Sequence, residues 1–189
     1  PLMLIVALLI KITSPGPAIF RQTRVGQSGM PFVMFKFRSM RTDMDDRAHR
    51  EFVASLIDGK PPLSGDGTSS SQFKMKADPR VTAVGRLIRK TSIDELPQFY
   101  NVLIGNMSLV GPRPPVPYEA EKYKTWHRRR VLELKPGLTG IWQVEGRSRV
   151  SFDDMVRMDL RYLRRCSLRF DLAVLLRTVL VVLTCQGAR

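Results

Sequence analysis

The chain opens on an uninterrupted apolar run, and this run limits the possible folds more than any other feature. Residues 2–10 read LMLIVALLI, and Lys11 ends the run. A helix that spans a bilayer needs about 20 predominantly apolar residues, so this run alone does not span one. It predicts a buried strand or helix, a half-helix that dips into one leaflet, or the end of a longer hydrophobic segment. Pro1 favours the membrane interpretations, because proline is tolerated at bends of membrane helices.

The charge balance limits the partners of the chain rather than its fold. The sequence carries 31 Lys and Arg residues against 17 Asp and Glu residues, a formal net charge of +14. This excess suits nucleic acid, an anionic membrane surface or a phosphorylated substrate. A length of 189 residues with 43% apolar residues predicts one compact domain with its own core.

The cysteines and histidines favour neither a disulfide nor a zinc site. Cys166 and Cys185 form no CxxC pair and are expected to be free thiols. His49 and His127 lie far apart in sequence, with no cysteine near either of them, so a zinc site is not expected.

The pattern of apolar, polar and turn-forming residues predicts a small, helix-rich α/β (α+β) domain with short β-hairpins. A hairpin is expected around GQSGM at 26–30, between two β-rich runs. Residues 58–72 are rich in Gly, Pro and Ser and predict a mobile surface loop. A turn-rich β-like stretch is expected near 135–146. Helices are predicted over 41–57, 80–92, 94–106, 118–134, 151–167 and 170–184.

Two adjacent carboxylates, Asp94 and Glu95, stand in a basic region and allow two interpretations. Pro97 is tolerated mainly in the first turn of a helix, so a helix is expected to start near Asp94. Ser92 or Asp94 would then cap the helix, and Glu95 would complement its dipole. Alternatively, the pair carries chemistry, because the positive end of a helix keeps carboxylates ionised.

The cations around this pair favour a phosphate chemistry. An ionised carboxylate can attack phosphorus, and Mg²⁺ is usually bound by one or two carboxylates together with substrate phosphate oxygens. Arginines can clamp a diphosphate in fork geometry. The sequence has neither a P-loop nor a GxGxxG motif after a strand, so phosphate binding must depend on side-chain cations and a metal. The candidate cations are Lys36, Arg38, Arg86, Arg89, Lys90 and Arg113.

Two further stretches are candidates for substrate contacts. GPRPPVP at 111–117 predicts either a rigid surface loop or polyproline ligand, or a stiff mount for Arg113 with a cis proline. KPGLTGIWQVEGRSR at 135–149 offers Trp142, Gln143 and Arg147, which would suit a base or a sugar. A hairpin with a buried tryptophan is the alternative for this second stretch.

Several of these motifs, in this order, resemble the bacterial sugar transferase family, the monotopic phosphoglycosyl transferases. The matching stretches are SPGPAIFRQTRVGQSGMPFVMFKFRSM, DPRVTAVGRLIRKTSIDELPQFYNVLIGNMSLVGPRP, KPGLTGIWQVEGRS and MDLRYLRRCSLRFDLAVLLRTV. The resemblance covers nearly the whole chain apart from the Ser- and Gly-rich loop. It implies transfer of a sugar phosphate from a UDP-sugar, such as UDP-glucose or UDP-galactose, to polyprenyl (undecaprenyl) phosphate with release of UMP. This step would initiate exopolysaccharide, capsule or O-antigen synthesis.

The resemblance also implies roles for individual residues. Asp94 would attack the β-phosphorus and form a covalent phosphosugar intermediate, which the lipid phosphate would then attack in a ping-pong mechanism. Glu95, with Asp94 beside it, would bind Mg²⁺, and Arg113 would contact phosphate. Further substrate contacts are expected from Lys36, Arg38, Arg86, Arg89, Gln143 and Arg147.

The family resemblance places the chain at the cytoplasmic face of the bacterial inner membrane. Residues 1–12 would be the exit half of a re-entrant membrane helix, with Pro1 at its kink, and residues 13–189 the catalytic domain. Amphipathic helices would add contacts with membrane lipid. The oligomeric state stays open.

Two rival hypotheses explain the positive charge without this chemistry. A non-enzymatic basic module that binds nucleic acid or membrane would show steeply salt-dependent nucleic-acid binding, whereas the transferase is expected to bind nucleic acid only weakly and non-specifically. A degenerate, scaffold-like membrane protein would release no UMP from any UDP-sugar.

Overall fold

The computed structural model describes residues 1–41, 47–58, 80–146 and 150–184 as a single small, helix-rich domain with two short sheets. The described strands are β1 (Ile19–Val25), β2 (Pro31–Phe37), β3 (Ser108–Val110) and β4 (Gly137–Thr139). The described helices are α1 (Leu2–Thr13), α2 (Arg47–Ile57), α3 (Ala83–Lys90), α4 (Gln98–Leu103), α5 (Pro117–Glu121), α6 (Thr125–Leu132), α7 (Ile141–Glu145), α8 (Phe152–Arg165) and α9 (Leu168–Leu183).

Strands β1 and β2 form the hairpin that the sequence predicts. They pair antiparallel, with Ile19 opposite Phe37 and Val25 opposite Pro31. The connection turns through Ser28 and Gly29, which have φ values of 58° and 76° in the left-handed region. Glycine and small polar residues adopt such φ values most readily, which explains why this stretch reverses the chain.

The second sheet is a parallel pair rather than a second hairpin. Ser108 of β3 pairs with Gly137 of β4, and Val110 pairs with Thr139. A side chain at Gly137 would place its Cβ 2.1 Å from the Gly111 nitrogen, so glycine is needed for the close approach. Parallel pairing requires a long connection between the two strands, and α5 and α6 lie in that connection.

Two apolar clusters join most of the helices and strand β3. The first joins α2, α6, α7 and α8 through Val53, Val131, Trp142 and Val156. The second joins β3, α7, α8 and α9 and includes Ile141 and Tyr162. Each element contributes one apolar face, so the fold is stabilised mainly by burial of these faces.

Helix α1 packs one face on the domain and exposes the others. Val6 and Ile10 are buried against Phe37 and Ile88, which resolves the local structure of the opening run as a helix. Its other faces are apolar and exposed at Leu2, Met3, Leu4, Ile5, Leu8, Leu9 and Ile12. Among the residues described, no helix combines the length and the apolar character that crossing a bilayer requires.

The structure corrects four local predictions. The helix expected over 118–134 is divided into α5 and α6, and the β-like stretch near 135–146 contains α7 after the short strand β4. The helix expected to start near Asp94 begins at Gln98 instead. The proline-rich loop has no cis peptide bond among the described residues. Part of the helix expected from residue 41, at 42–46, and most of the predicted loop, at 59–72, lie outside the described residues.

Candidate active site

The two adjacent carboxylates lie in a separate turn between α3 and α4. Ile93–Glu95 forms one turn of 3₁₀ helix, preceded by Ser92 in the left-handed conformation at φ 58°. The Glu95 nitrogen donates to the Ser92 carbonyl at 3.2 Å. Helix α4 then starts after Pro97 without a side-chain cap, so the capping role expected for Ser92 or Asp94 is wrong for this helix. The turn itself, rather than a long helix, presents both carboxylates.

Asn101 fixes α4, and with it the carboxylate turn, against the free edge of β2. Its Nδ2 donates to the Val33 carbonyl at 2.7 Å, and its Oδ1 accepts from the Phe35 nitrogen at 3.0 Å. The amide of Asn101 therefore takes the place of a neighbouring strand and satisfies a backbone donor and acceptor that the hairpin leaves unpaired.

The Lys36 ammonium forms an ion pair with Glu95. Its Nζ lies 2.9 Å from Glu95 Oε1, and both side chains are largely shielded from solvent. Burial lowers the pKa of Lys36 below its ordinary value of 10.5, against the opposing effect of the Glu95 carboxylate. The positive charge of Arg113 lowers this pKa further, which shows that Arg113 is electrostatically close to the pair.

The proline-rich loop that carries Arg113 is held from behind by two buried arginines. Arg24 Nη1 donates to the Pro114 carbonyl at 2.9 Å, and Arg130 Nη2 donates to the Arg113 carbonyl at 3.1 Å. The Arg130 guanidinium also pairs with buried Asp159 at 2.9 Å. Burial, followed by the charge of Arg113, lowers the pKa of Arg24 to about 10. These contacts fix the backbone of the loop, which both interpretations of the stretch predict.

These elements meet around one shallow, solvent-open cleft. Lys36 and Glu95 line it from β2 and the carboxylate turn, Arg113 from the loop and Gln143 from α7. Gln98, at the start of α4, also lines this cleft. The structure thus brings together four of the residues proposed from the sequence, and their charges suit an anionic ligand.

Other predicted site residues lie elsewhere. The Arg38 guanidinium donates to the Ser14 and Pro15 carbonyls at 2.7 and 2.6 Å and so binds the end of α1. Arg86 is exposed and Arg89 half-buried on α3, and neither guanidinium has a hydrogen bond or ion pair to the rest of the described chain. Arg147 lies outside the described residues.

The carboxylate turn has the donor chemistry that Mg²⁺ prefers. Asp94 and Glu95 are adjacent and half-buried, and Glu95 lines the cleft beside Lys36 and Arg113. Mg²⁺ is usually held by one or two carboxylates and completes its shell with substrate phosphates and water. Within the part of the chain that the structure describes, no cluster of three His, Cys, Asp or Glu side chains could hold a metal alone. The residues therefore fit a metal that binds together with a phosphorylated substrate.

The amino-acid sequence is similar to those of known proteins. The sequence profile of one family, described as "Bacterial sugar transferase", matches residues 1–185. The chain belongs to the bacterial sugar transferase family. This bacterial sugar transferase is 47% identical over 175 residues to the galactosyl transferase CpsE of Streptococcus agalactiae, a match that covers 92% of the chain and 36% of CpsE.

Two further relatives show the same relationship at different lengths. The undecaprenyl-phosphate galactose phosphotransferase of Salmonella typhimurium is 45% identical over 186 residues, which cover 98% of the chain and 37% of the relative. The exopolysaccharide production protein ExoY of Sinorhizobium fredii is 38% identical over 188 residues, which cover the whole chain and 80% of ExoY. The chain thus spans little more than a third of the first two relatives.

Sequence reasoning missed Gln98 and the buried group of Arg24, Arg130 and Asp159. The signal for Gln98 was its spacing of three residues from Asn101, which places two amides on one face of α4. No local pattern marked these contacts, because the Pro114 carbonyl lies 90 residues from Arg24 and the Asp159 carboxylate lies 29 residues from Arg130.

Proposed function

We propose that this bacterial sugar transferase moves a sugar phosphate from a UDP-sugar to polyprenyl phosphate and releases UMP. The observation that carries the proposal is the Lys36–Glu95 ion pair beside Arg113 in one cleft, next to Asp94. The printed names of relatives support the substrates, since the Salmonella protein is an undecaprenyl-phosphate galactose phosphotransferase. An Escherichia coli relative, 38% identical, is a UDP-glucose:undecaprenyl-phosphate glucose-1-phosphate transferase.

In the first half-reaction, a carboxylate oxygen of Asp94 attacks the phosphorus that carries the sugar. The new bond joins the Asp94 carboxylate to this phosphorus, and the bond from phosphorus to the bridging oxygen breaks. That oxygen leaves with the electron pair as part of UMP. Lys36 and Arg113 stabilise the charge that develops on the phosphate oxygens, which is the main contribution an enzyme makes to phosphoryl transfer.

In the second half-reaction, an oxygen of polyprenyl phosphate attacks the same phosphorus. The bond between Asp94 and phosphorus breaks, the Asp94 carboxylate is regenerated, and the product is a polyprenyl diphosphate sugar. Asp94 and Glu95 would hold Mg²⁺, which when bound supplies positive charge to the phosphate oxygens. One cleft serves both half-reactions because both place a phosphate on the same group of cations.

We further propose that the chain contacts the inner membrane at its cytoplasmic face. Apolar side chains are exposed on α1, α4 and α9, and a lipid substrate must be reached from the membrane. On α4 they belong to Phe99, Tyr100, Leu103 and Ile104, close in sequence to the carboxylate turn. On α9 they include Leu168, Leu172, Leu176, Val179, Leu180 and Leu183.

The proposal is tested by UMP release from a panel of UDP-sugars, with polyprenyl phosphate and Mg²⁺ and the full chain in detergent or nanodiscs. The variant Asp94→Asn should lose turnover and also labelling of the protein by sugar phosphate. Retained labelling would move the nucleophile to another residue. Asp154→Asn is the matched control, since Asp154 is an exposed carboxylate in the first turn of α8 and should be dispensable.

The metal assignment has its own test. Glu95→Gln keeps the size of the side chain but removes its charge, so half-maximal activity should require a higher Mg²⁺ concentration. An unchanged Mg²⁺ response would place the metal on other residues.

A further inference from the structure

Helix α4 buries two amides and exposes its apolar side chains, the reverse of an ordinary surface helix. Gln98 is 3% exposed and Asn101 is fully buried, whereas Phe99 and Leu103 are 46% and 84% exposed. The two amides are three positions apart and share one face of the helix. Buried amides are nearly always hydrogen-bonded in folded proteins, so each needs partners.

The two amides differ in whether they have partners. Both polar atoms of Asn101 are satisfied by the backbone of β2. Gln98 Nε2 is buried and has no hydrogen-bond partner among the described residues. An unpaired buried amide weakens folding, and such exceptions are often explained by function. The Asn101 amide thus has a structural role. The described part of the fold provides no acceptor for Gln98 Nε2.

Gln143 has the same property on another wall of the same cleft. Its Oε1 is buried without a hydrogen-bond partner in the described chain. Gln98 and Gln143 both line the cleft together with Lys36, Glu95 and Arg113. Two residues that line the cleft thus each carry a buried amide atom without a partner in the described chain, a donor on Gln98 and an acceptor on Gln143.

A hydroxyl group matches this combination, because it donates one hydrogen bond and accepts others. We propose that Gln98 and Gln143 bind a hydroxyl of the transferred sugar, with Gln98 donating to it and Gln143 accepting from it. This inference rests on the proposed function, in which Lys36 and Arg113 hold the neighbouring phosphates. The two amides are then specificity-determining residues, because a sugar without that hydroxyl leaves both unpaired in the complex.

The test replaces Gln98 by methionine, an apolar side chain of similar length. Gln98→Met should raise the thermal midpoint of the full chain by about 2–4 °C, because it removes an unpaired buried amide. In the Asp94→Asn background, where no covalent intermediate can form, it should weaken binding of UDP-glucose and UDP-galactose, measured by calorimetry with Mg²⁺, by about tenfold or more. Binding of UDP, which has no sugar, should stay unchanged. Gln143→Met should show the same selective loss for UDP-sugars.

Asn101→Leu is the matched control, because it removes a buried amide that is fully partnered on the same helix. It should lower the thermal midpoint. A similar decrease in Gln98→Met would show a structural amide and overturn the inference. The inference would also be overturned if Gln98→Met weakened UDP and UDP-sugar binding equally, or if it left the UDP-sugar affinity unchanged. A wild-type chain that releases no UMP from any UDP-sugar would instead overturn the proposed function, whatever the thermal data show.

Discussion

Two groups of charged side chains meet at the proline-rich loop, and they use buried positive charge in opposite ways. Behind the loop, Arg24 and Arg130 donate to backbone carbonyls, and Arg130 pairs with Asp159. In front of it, Lys36 pairs with Glu95 at the wall of an open cleft. We name these the rear group (Arg24, Arg130 and Asp159) and the cleft group (Lys36, Glu95 and Arg113).

The difference lies in what each charge can bind. The rear charges are almost fully buried and contact backbone carbonyls or each other, so they hold the backbone in place. The cleft charges border solvent and can exchange a protein partner for a phosphate oxygen. Access to the cleft therefore separates the two roles of a buried cation in this molecule. A cation at the cleft can contact a ligand, whereas one away from the cleft holds the backbone. Removing a rear charge should therefore affect folding, and removing a cleft charge should affect chemistry.

Arg130→Met should have the largest effect on stability. It leaves Asp159 buried without its partner, which typically costs about 3–5 kcal/mol of unfolding free energy. Urea denaturation at neutral pH measures this loss. The double variant Arg130→Met with Asp159→Leu removes both charges and should recover much of it. If the double variant were as unstable as Arg130→Met alone, the loss would not come from an unpaired Asp159 charge.

The same variant should show a characteristic pH dependence. Burial raises the pKa of Asp159 to about 6, and the Arg130 charge opposes this rise. A raised pKa means that the folded state binds a proton more tightly, so stability from this carboxyl falls between about pH 4 and pH 6. Without Arg130, the decline should continue above pH 6. The destabilisation by Arg130→Met should therefore be smaller at pH 5 than at pH 8.

Lys36→Met should affect chemistry more than folding. Loss of one preorganised charge donor at a developing anion typically lowers the rate about 10²- to 10³-fold. The unfolding midpoint should change little, since burial already disfavours the ammonium at this position. UMP release and urea denaturation of the same preparation separate the two effects. A normal rate together with a large loss of stability would assign Lys36 to the rear group's role.

Lys36→Arg should shift the alkaline side of the pH profile. Burial lowers the pKa of Lys36, so wild-type activity should decline at a pH below the ordinary lysine pKa of 10.5. An arginine stays protonated over this range, so the decline in kcat/KM should move to higher pH even if the absolute rate is reduced. An alkaline decline at the same pH in both proteins would assign it to another group.

Arg129→Ala should have the smallest effect. Arg129 forms an exposed ion pair with Glu133 one helical turn away, at 2.6 Å. Exposed pairs of this kind contribute little because solvent and salt screen them. Neither the UMP-release rate nor the urea midpoint should change measurably. A lower urea midpoint would show that Arg129 contributes to stability like the rear group. A lower rate of UMP release would show that it contributes to activity like the cleft group.

Elements with a local signal were predicted correctly. The β1–β2 hairpin, the basic helix α3 and the amphipathic helix α8 all follow from periodicity and turn residues. Ser151 caps α8 by accepting from the Asp154 nitrogen at 3.1 Å, and the helix was predicted to begin at this residue. Gly105 has a φ of 82° just after α4, the conformation in which glycine commonly ends a helix, close to the predicted end at 106.

Elements whose form depends on distant partners were not predicted correctly. The apolar stripe of α4 faces outward, because Asn101 must turn inward to satisfy the edge of β2. Arg38 comes from a predicted basic cluster, but its guanidinium binds the carbonyls that end α1. The local sequence shows that a cationic side chain is present, but it does not show which carbonyl, carboxylate or ligand that side chain binds.

By itself, the sequence determined the chemical content of the site: two adjacent carboxylates, a loop arginine and a surplus of cations, all within one family pattern. The tertiary structure decided which of those cations serve the site. It paired Lys36 with Glu95, enclosed Arg130 with Asp159 and left Gln98 Nε2 without a partner in the described part of the chain. The physical reason is that hydrogen bonds and ion pairs act over a few ångströms, and only folding brings distant residues that close.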